Sequence, residues 1–228
     1  MDKPQHAPTD TISFRLLTDI KLRDLTSLQR ALTMLHEEYQ VPNVAISSIP
    51  VKEWLFDVLP PPIHPGTFDD PPQDDDRFLL CLTSSKSGRS PNETSLVHAC
   101  CVEKIPGYFS GVGDLFSALL LGHFRPAEDK PSAMPEMTSL SIATSFALAK
   151  TCAVLGRTYS HSQTLPEGER QSADDEKDSV DPLRRTRRVR GRELRLVQSQ
   201  DIFTRTGLDH SYCLKHWPTF WSPLLNGS

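Results

Sequence analysis

Two glycines spaced one residue apart stand directly before an aspartate in Gly111-Val112-Gly113-Asp114, and the sequence turns helical from that aspartate onward. Glycine permits backbone dihedrals closed to other residues, so neighbouring amides can converge on one point. The first turn of a helix adds N–H groups without intrahelical partners and the positive end of the macrodipole. Together these make a site for an anion, most naturally a phosphoryl oxygen. Asp114 occupies the same point. A carboxylate beside an anion hole is poorly explained by packing, yet it has a chemical use. It can accept the proton of an attacking hydroxyl while the amides stabilise charge on a transferring phosphoryl group. Taken alone, the four residues also fit a plainer account in which Asp114 is an ordinary helix-start residue.

An α/β framework must hold this point in place. Leu25, Leu28, Ala31, Leu32 and Leu35 recur at helical spacing within 24–40, with Asp24 or Thr26 as the cap. Pro42 and Asn43 make a turn, and Val44-Ala45-Ile46 is a compact buried strand that ends in Ser47-Ser48. Segments 78–83 and 96–102 read as a hairpin with a long polar loop between them. Pro106 and Gly107 break the pattern before the glycine turn. A helix then runs from Asp114 to near Gly122, and a further helix covers about 136–158, with Leu140, Ala143, Ala147, Val154 and Leu155 on its apolar face. Residues 194–197 fit a short last strand. The stretch 59–76 is too rich in proline, glycine and aspartate for regular structure, 160–190 reads as a polar loop, and 1–13 as a disordered start. Trp217 and Trp221 fit either a core or a partner surface.

Composition narrows the function classes. The 228 residues suit one domain, and 19 prolines with 37% hydrophobic residues leave a modest core with long loops. A net charge of −4 gives no general reason to expect nucleic-acid binding. The arginine cluster at 184–192 fits a nuclear signal or a nucleic-acid contact, but the acidic run just before it favours a solvated loop. Five cysteines without C-x-x-C spacing point to neither a disulfide framework nor a zinc site. The histidines show no ligand spacing, and the aspartate runs at 69–70 and 74–76 lack the glycine and terminal glutamate of a calcium loop. The N-terminus has no apolar h-region, and no apolar run approaches the length of a membrane span, so the expectation is a cytoplasmic protein without a membrane segment.

The stretch G-Y-F-S-G-V-G-D-L-F-S-A-L-L-L-G at 107–122 resembles the signature that closes the ribokinase-like fold, and D-L-F-S-A-L-L-L within it is most similar to pyridoxal kinases. Three further stretches agree in order and spacing. Residues 31–48 resemble the helix and strand ending in a Thr/Ser-Ser nucleotide contact, 140–158 the helix lining the adenine pocket, and 192–202 the terminal strand with its L-x-L-V-Q-S ending. The resemblance covers about 16–203, leaving a divergent start at 1–15 and a tail at 204–228, with long loops near 59–77 and 159–190.

The resemblance implies the C-terminal part of a fungal-type pyridoxal kinase. The fold would be a three-layer α/β/α arrangement, an incomplete central sheet with helices on both faces. Asp114 would be the base that deprotonates the 5′-hydroxymethyl group of pyridoxal, pyridoxine or pyridoxamine. Gly111, Val112 and Gly113 would form the anion hole, where Val112 departs from the commoner threonine. Ser47 and Ser48 would lie near the ATP phosphates, and Ile105 would touch the adenine. The family uses ATP, Mg²⁺ and often K⁺ and forms homodimers; no residue here is assigned as a metal ligand. The T-P-N-x-x-E segment and the vitamin-binding N-terminal half have no counterpart, with Thr11-Ile12-Ser13-Phe14-Arg15 standing where the former is expected. The chain therefore reads as truncated. Half of a parallel sheet would expose an apolar edge, so the isolated chain is expected to fold poorly or aggregate. Two other functions fit the same residues: a ribokinase-like kinase for a sugar, nucleoside or hydroxymethylpyrimidine, and a non-catalytic nucleotide-binding protein.

Overall fold

The computed structural model describes residues 17–65, 77–86, 94–107, 109–126, 137–170 and 179–222. The segments 66–76, 87–93 and 171–178, with 1–16, fall outside the described residues, and with them parts of the expected loops and the expected disordered start. Helix α1 (Leu25–Glu37) begins at Asp24, whose carboxylate accepts from the Ser27 amide at 2.7 Å, while the Ser27 hydroxyl accepts from the Asp24 amide at 3.1 Å. This reciprocal cap satisfies two orphan donors and fixes the register, so the predicted leucine stripe faces inward and is buried.

Strands β1 (Asn43–Pro50), β2 (Phe78–Ser85), β3 (Leu96–Glu103) and β4 (Lys215–His216) form one sheet in the order β1-β2-β3-β4, and each pair is antiparallel. The parallel arrangement expected from the sequence is not found in these strands. Between β1 and β2 the only helix among the described residues is α2 (Glu53–Phe56), a single turn, and none lies among those between β2 and β3, so no crossover helix makes these neighbours parallel. Alternation along the strands divides the core. Leu80, Leu82, Val97 and Ala99 join the leucines of α1 on one face. Cys81 and Cys100 join Phe116, Ala147 and Leu148 on the other. Those last three belong to α3 (Val112–His123) and α4 (Ser139–Gln163). The expected α/β architecture is present: an incomplete sheet with helices on both faces.

Four expectations need correction. Helix α4 runs five residues beyond the predicted end, and the supposed loop contains α5 (Glu167–Arg170) and α6 (Pro182–Arg190), the latter capped by the Asp181 carboxylate. Residues 194–197 form no strand; Glu193 makes one parallel bridge to Ser110, and a 3₁₀ turn (Val197–Ser199) leads into α7 (Gln200–Thr204). The tail folds back instead of trailing: β4 pairs with β3, and Trp217 and Phe220 are buried in the α1 side of the core. Finally, α4 is long and apolar enough by composition to cross a membrane, contrary to the sequence expectation. Here it packs within the protein, with 56% of its most apolar window buried.

Buried polar groups on α4 explain how the returning chain is held. The Ser145 hydroxyl accepts from the Leu214 amide at 2.9 Å, Thr158 accepts from the Arg195 amide at 3.1 Å, and Lys150 Nζ donates to the Phe203 carbonyl at 2.9 Å. Each satisfies a backbone group that would be costly to bury alone.

His36 joins α1 to the hairpin. Its Nδ1 lies 2.6 Å from the Val41 carbonyl and its Nε2 2.7 Å from the Ser84 hydroxyl, which in turn lies 2.7 Å from Ser95. A carbonyl only accepts, so Nδ1 carries the proton and neutral Nε2 accepts from Ser84. Burial lowers the imidazole pKa below its ordinary 6.5, outweighing the opposing Val41 bond. A lowered pKa means the unfolded chain binds the extra proton more readily. The stabilisation is therefore complete above pH 6.5 and is lost as pH falls through the folded value. His123, lowered by burial and then by Lys150 and Arg125, acts with the same sign. Thermal unfolding measured from pH 7 to 5 should show a falling midpoint, and His36→Gln should reduce that slope; an unchanged slope would remove His36 from the account.

Candidate active site

Helix α3 starts from a left-handed residue. Gly111 has φ +83°, a region closed to most side chains, and the first intrahelical bond runs from the Leu115 amide to the Gly111 carbonyl at 3.0 Å. The amides of Val112, Gly113 and Asp114 precede that bond and face outward from the helix start. The bridge between Ser110 and Glu193 anchors the turn from behind. Asp114 sits in the first turn and is exposed. A Cβ built on Gly113 would meet nothing within 4 Å. Packing therefore does not demand glycine there, whereas close approach of a ligand to the backbone would.

Strand β1 supplies the opposite wall. Ile46 pairs with Leu82 and Ile49 with Leu80, so β1 takes three steps where β2 takes two. The extra residue makes a bulge at Ser47-Ser48. Bulges redirect side chains and are over-represented beside active sites. This one places both serines on a cavity of about 340 Å³ whose lining also includes Ile105, Gly111, Val112, Gly113 and Asp114. All the site residues expected from the sequence thus line one cavity.

The cavity is lined by both polar and apolar residues. Leu79, Val102, Phe109, Phe116, Leu148 and Leu155 form apolar wall, a suitable bed for a flat heteroaromatic ring. Thr151 from α4 lines the same space, and its hydroxyl is buried without a hydrogen-bond partner among the described residues. Cys152 beside it is held as a neutral thiol, its pKa pushed up to about 12 by burial and then by Cys100. It packs and does not act as a nucleophile. Glu103 and Lys104 stand at the end of β3 on the rim. None of these four was singled out from the sequence. Glu103-Lys104 carried a signal, a charged pair at the end of an apolar strand just before Pro106-Gly107. Thr151 and Cys152 carried little, since each reads as one more residue of an apolar helix.

These residues fit a nucleotide. The glycine turn suits its phosphates, the apolar walls suit its base, and Thr151 retains one unused hydroxyl. Among the described residues no group of three or more His, Cys, Asp and Glu could cage a metal. Mg²⁺ needs no such cage when phosphates supply most of its ligands, and Asp114 and Glu103 place carboxylates on the same cavity.

Gly113 gives a test that separates site from scaffold. Gly113→Ala should leave stability unchanged or raise it by about 0.5–1 kcal/mol through helix propensity. The same change should weaken nucleotide binding, because the new methyl group enters the path to the amides. Denaturation and calorimetric titration read the two effects separately.

No protein-family model and no curated protein matches this chain. Solved structures do. The pyridoxal kinase of Leishmania donovani in complex with ADP superposes with a TM-score of 0.55 at 17% identity, over 91% of this chain and 50% of that one. The same enzyme with ADP and pyridoxamine gives a TM-score of 0.54 at 17% identity over the same shares. The chain spans about half the length of the structures it matches. At this identity the likeness concerns the backbone alone: the chain has the fold of pyridoxal kinases over about half of their length.

Proposed function

We propose that the cavity at the start of α3 is the phosphoryl-donor site of a vitamin B6 kinase, and that this chain is the C-terminal portion of such an enzyme. The observation that carries this reading is one cavity lined by Gly111, Gly113, Asp114 and the bulged Ser47-Ser48. The ADP complexes of the similar folds support it. ATP lies with its phosphates at the amides of Val112 and Gly113 and its base between the apolar walls near Ile105. Asp114 and Glu103 would be the residues nearest to a phosphate-borne Mg²⁺, which would supply charge neutralisation when bound. Asp114 accepts the proton of the acceptor hydroxyl, and the helix start stabilises charge on the transferring group. Val112 contributes its amide and no hydroxyl, so the backbone bears that contact alone. The acceptor is the 5′-hydroxymethyl group of pyridoxal, pyridoxine or pyridoxamine.

The test is incubation of the chain with ATP, Mg²⁺ and pyridoxal, reading formation of pyridoxal 5′-phosphate. Product above a protein-free control supports the kinase. Nucleotide binding with no phosphorylation of any B6 vitamer would replace it with a non-catalytic nucleotide-binding protein.

A further inference from the structure

Residues 180–197 combine positive charge with exposed apolar side chains. Seven arginines stand there against Asp181 and Glu193, a net charge of +5 in a chain whose total is −4. The same stretch holds Val180, Leu183, Val189, Leu196 and Val197, five of the nine large apolar side chains exposed among the described residues. Apolar residues scattered singly over a surface need no explanation. Their concentration among arginines does.

Helix α6 sets part of this mixture on one face. Arg184 is 7% exposed and marks the side turned inward. Leu183, Thr186 and Arg190, at i, i+3 and i+7, line up on the outward side with Val189 beside them. All four are exposed, Leu183 at 65% and Val189 at 48%. Arg187 is held by Asp181 at 2.6 Å. Arg185 and Arg190 have no ion pair or hydrogen bond among the described residues, and they share a surface depression with Thr186 and Val189.

This mixture selects among anionic partners. A nucleic acid would engage the guanidinium groups, but residues 180–197 contain no aromatic side chain for base stacking. A phosphate backbone also offers nothing for leucine and valine to bury against. An acidic peptide would call for an apolar groove, yet of the five apolar residues only Val189 lines the depression. A bilayer with anionic headgroups meets both needs. Long arginine stems let the charges stay at the lipid phosphates while shorter apolar chains enter the acyl boundary.

We propose that the outward face of α6 is a docking surface for an anionic lipid bilayer. Arg185 and Arg190 pair with the headgroups, and Leu183 and Val189 enter between the lipids. Attraction between exposed charges is screened over about 8–10 Å at physiological salt, so the contact is salt-sensitive and reversible. It holds whether or not the cavity belongs to a kinase.

Co-sedimentation of the full chain with lipid vesicles tests it. Vesicles of phosphatidylcholine with about 30% phosphatidylserine should bind the chain at least tenfold more tightly than phosphatidylcholine alone. Arg185→Glu with Arg190→Glu should lose that advantage, and Leu183→Ser with Val189→Ser should weaken binding at least threefold. Arg30→Glu with Lys52→Glu makes the same change in net charge at exposed positions elsewhere and should bind like the wild type. Equal binding to both kinds of vesicle overturns the proposal, as does wild-type binding by the Arg185 and Arg190 pair. So does failure to bind the anionic vesicles, and capture of a single-stranded RNA oligomer in their place would make nucleic acid the partner. Should the arginine variant fail to fold, the wild type decides alone. Raising the salt from about 0.1 to about 0.5 M should weaken its binding to anionic vesicles at least tenfold, and unchanged binding overturns the docking surface.

Discussion

Asp114→Asn should lower phosphoryl transfer by about 10²–10⁴-fold, the range typical of a lost general base. Nucleotide binding should survive. The amide side chain has nearly the size of the carboxylate but cannot take the proton of the acceptor hydroxyl. The proposed anion hole consists of backbone at Gly111, Val112 and Gly113, none of which the substitution alters. Fold stability should change little. Asp114 is exposed in the first turn of α3, and the favourable field of a carboxylate at a helix start is worth about 0.3–1 kcal/mol at an exposed position. The effect should therefore appear in kcat, with the nucleotide KM close to that of the wild type. Turnover retained at the wild-type rate would remove Asp114 as the base.

Trp217→Ala should cost about 3–5 kcal/mol of stability, as emptying a buried aromatic site generally does. Against total stabilities of about 5–15 kcal/mol for single domains, that is enough to unfold much of the population. Trp217 is 2% exposed, and its amide donates to the Val97 carbonyl at 2.9 Å. Its ring meets Phe220 edge-on with centroids 5.1 Å apart, and Phe220 meets Trp221 at 4.9 Å. Gln29 of α1 donates to the Phe220 carbonyl, and Trp221 Nε1 donates to the Ser95 carbonyl at 2.8 Å. Losing the first ring loosens a staple that joins α1, β3 and the chain end. Urea unfolding followed by circular dichroism measures it. Trp217→Phe should lose less, and a cost below about 1 kcal/mol for the alanine variant would contradict the core role.

Local patterns in the sequence were enough for the elements nearest the site. The leucines of α1 follow from helical spacing, Asp24 was one of two cap candidates beside Thr26, and the β2–β3 hairpin follows from two apolar runs. The glycine turn before α3 was legible because glycine pairs mark special backbone wherever they fall. The bulge at Ser47-Ser48 was not legible, because it arises from the register of β1 against β2 and not from any residue type. The C-terminal return was hidden for a related reason. Strand β4 has two residues, too few for any periodicity, and its place depends on contacts with β3 and α4 far away in sequence. The supposed strand at 194–197 failed on the same ground. Its apolar residues are local, but among the described residues no strand pairs with it beyond the single bridge at Glu193. The extra turns of α4 and the helix α6 show polar sequence forming helix where caps and arginine-rich propensity allow it.

The central claim is that the start of α3 receives the phosphates of a nucleotide. The most direct measurement is a titration of the ¹⁵N-labelled chain with ADP and Mg²⁺, followed through the amide resonances of Val112, Gly113, Asp114 and Ser48. The account predicts saturable shifts at these amides, with smaller ones at Ile105 and Thr151 where the base lies. Saturable shifts confined to other parts of the molecule, or none at millimolar ADP, would contradict it.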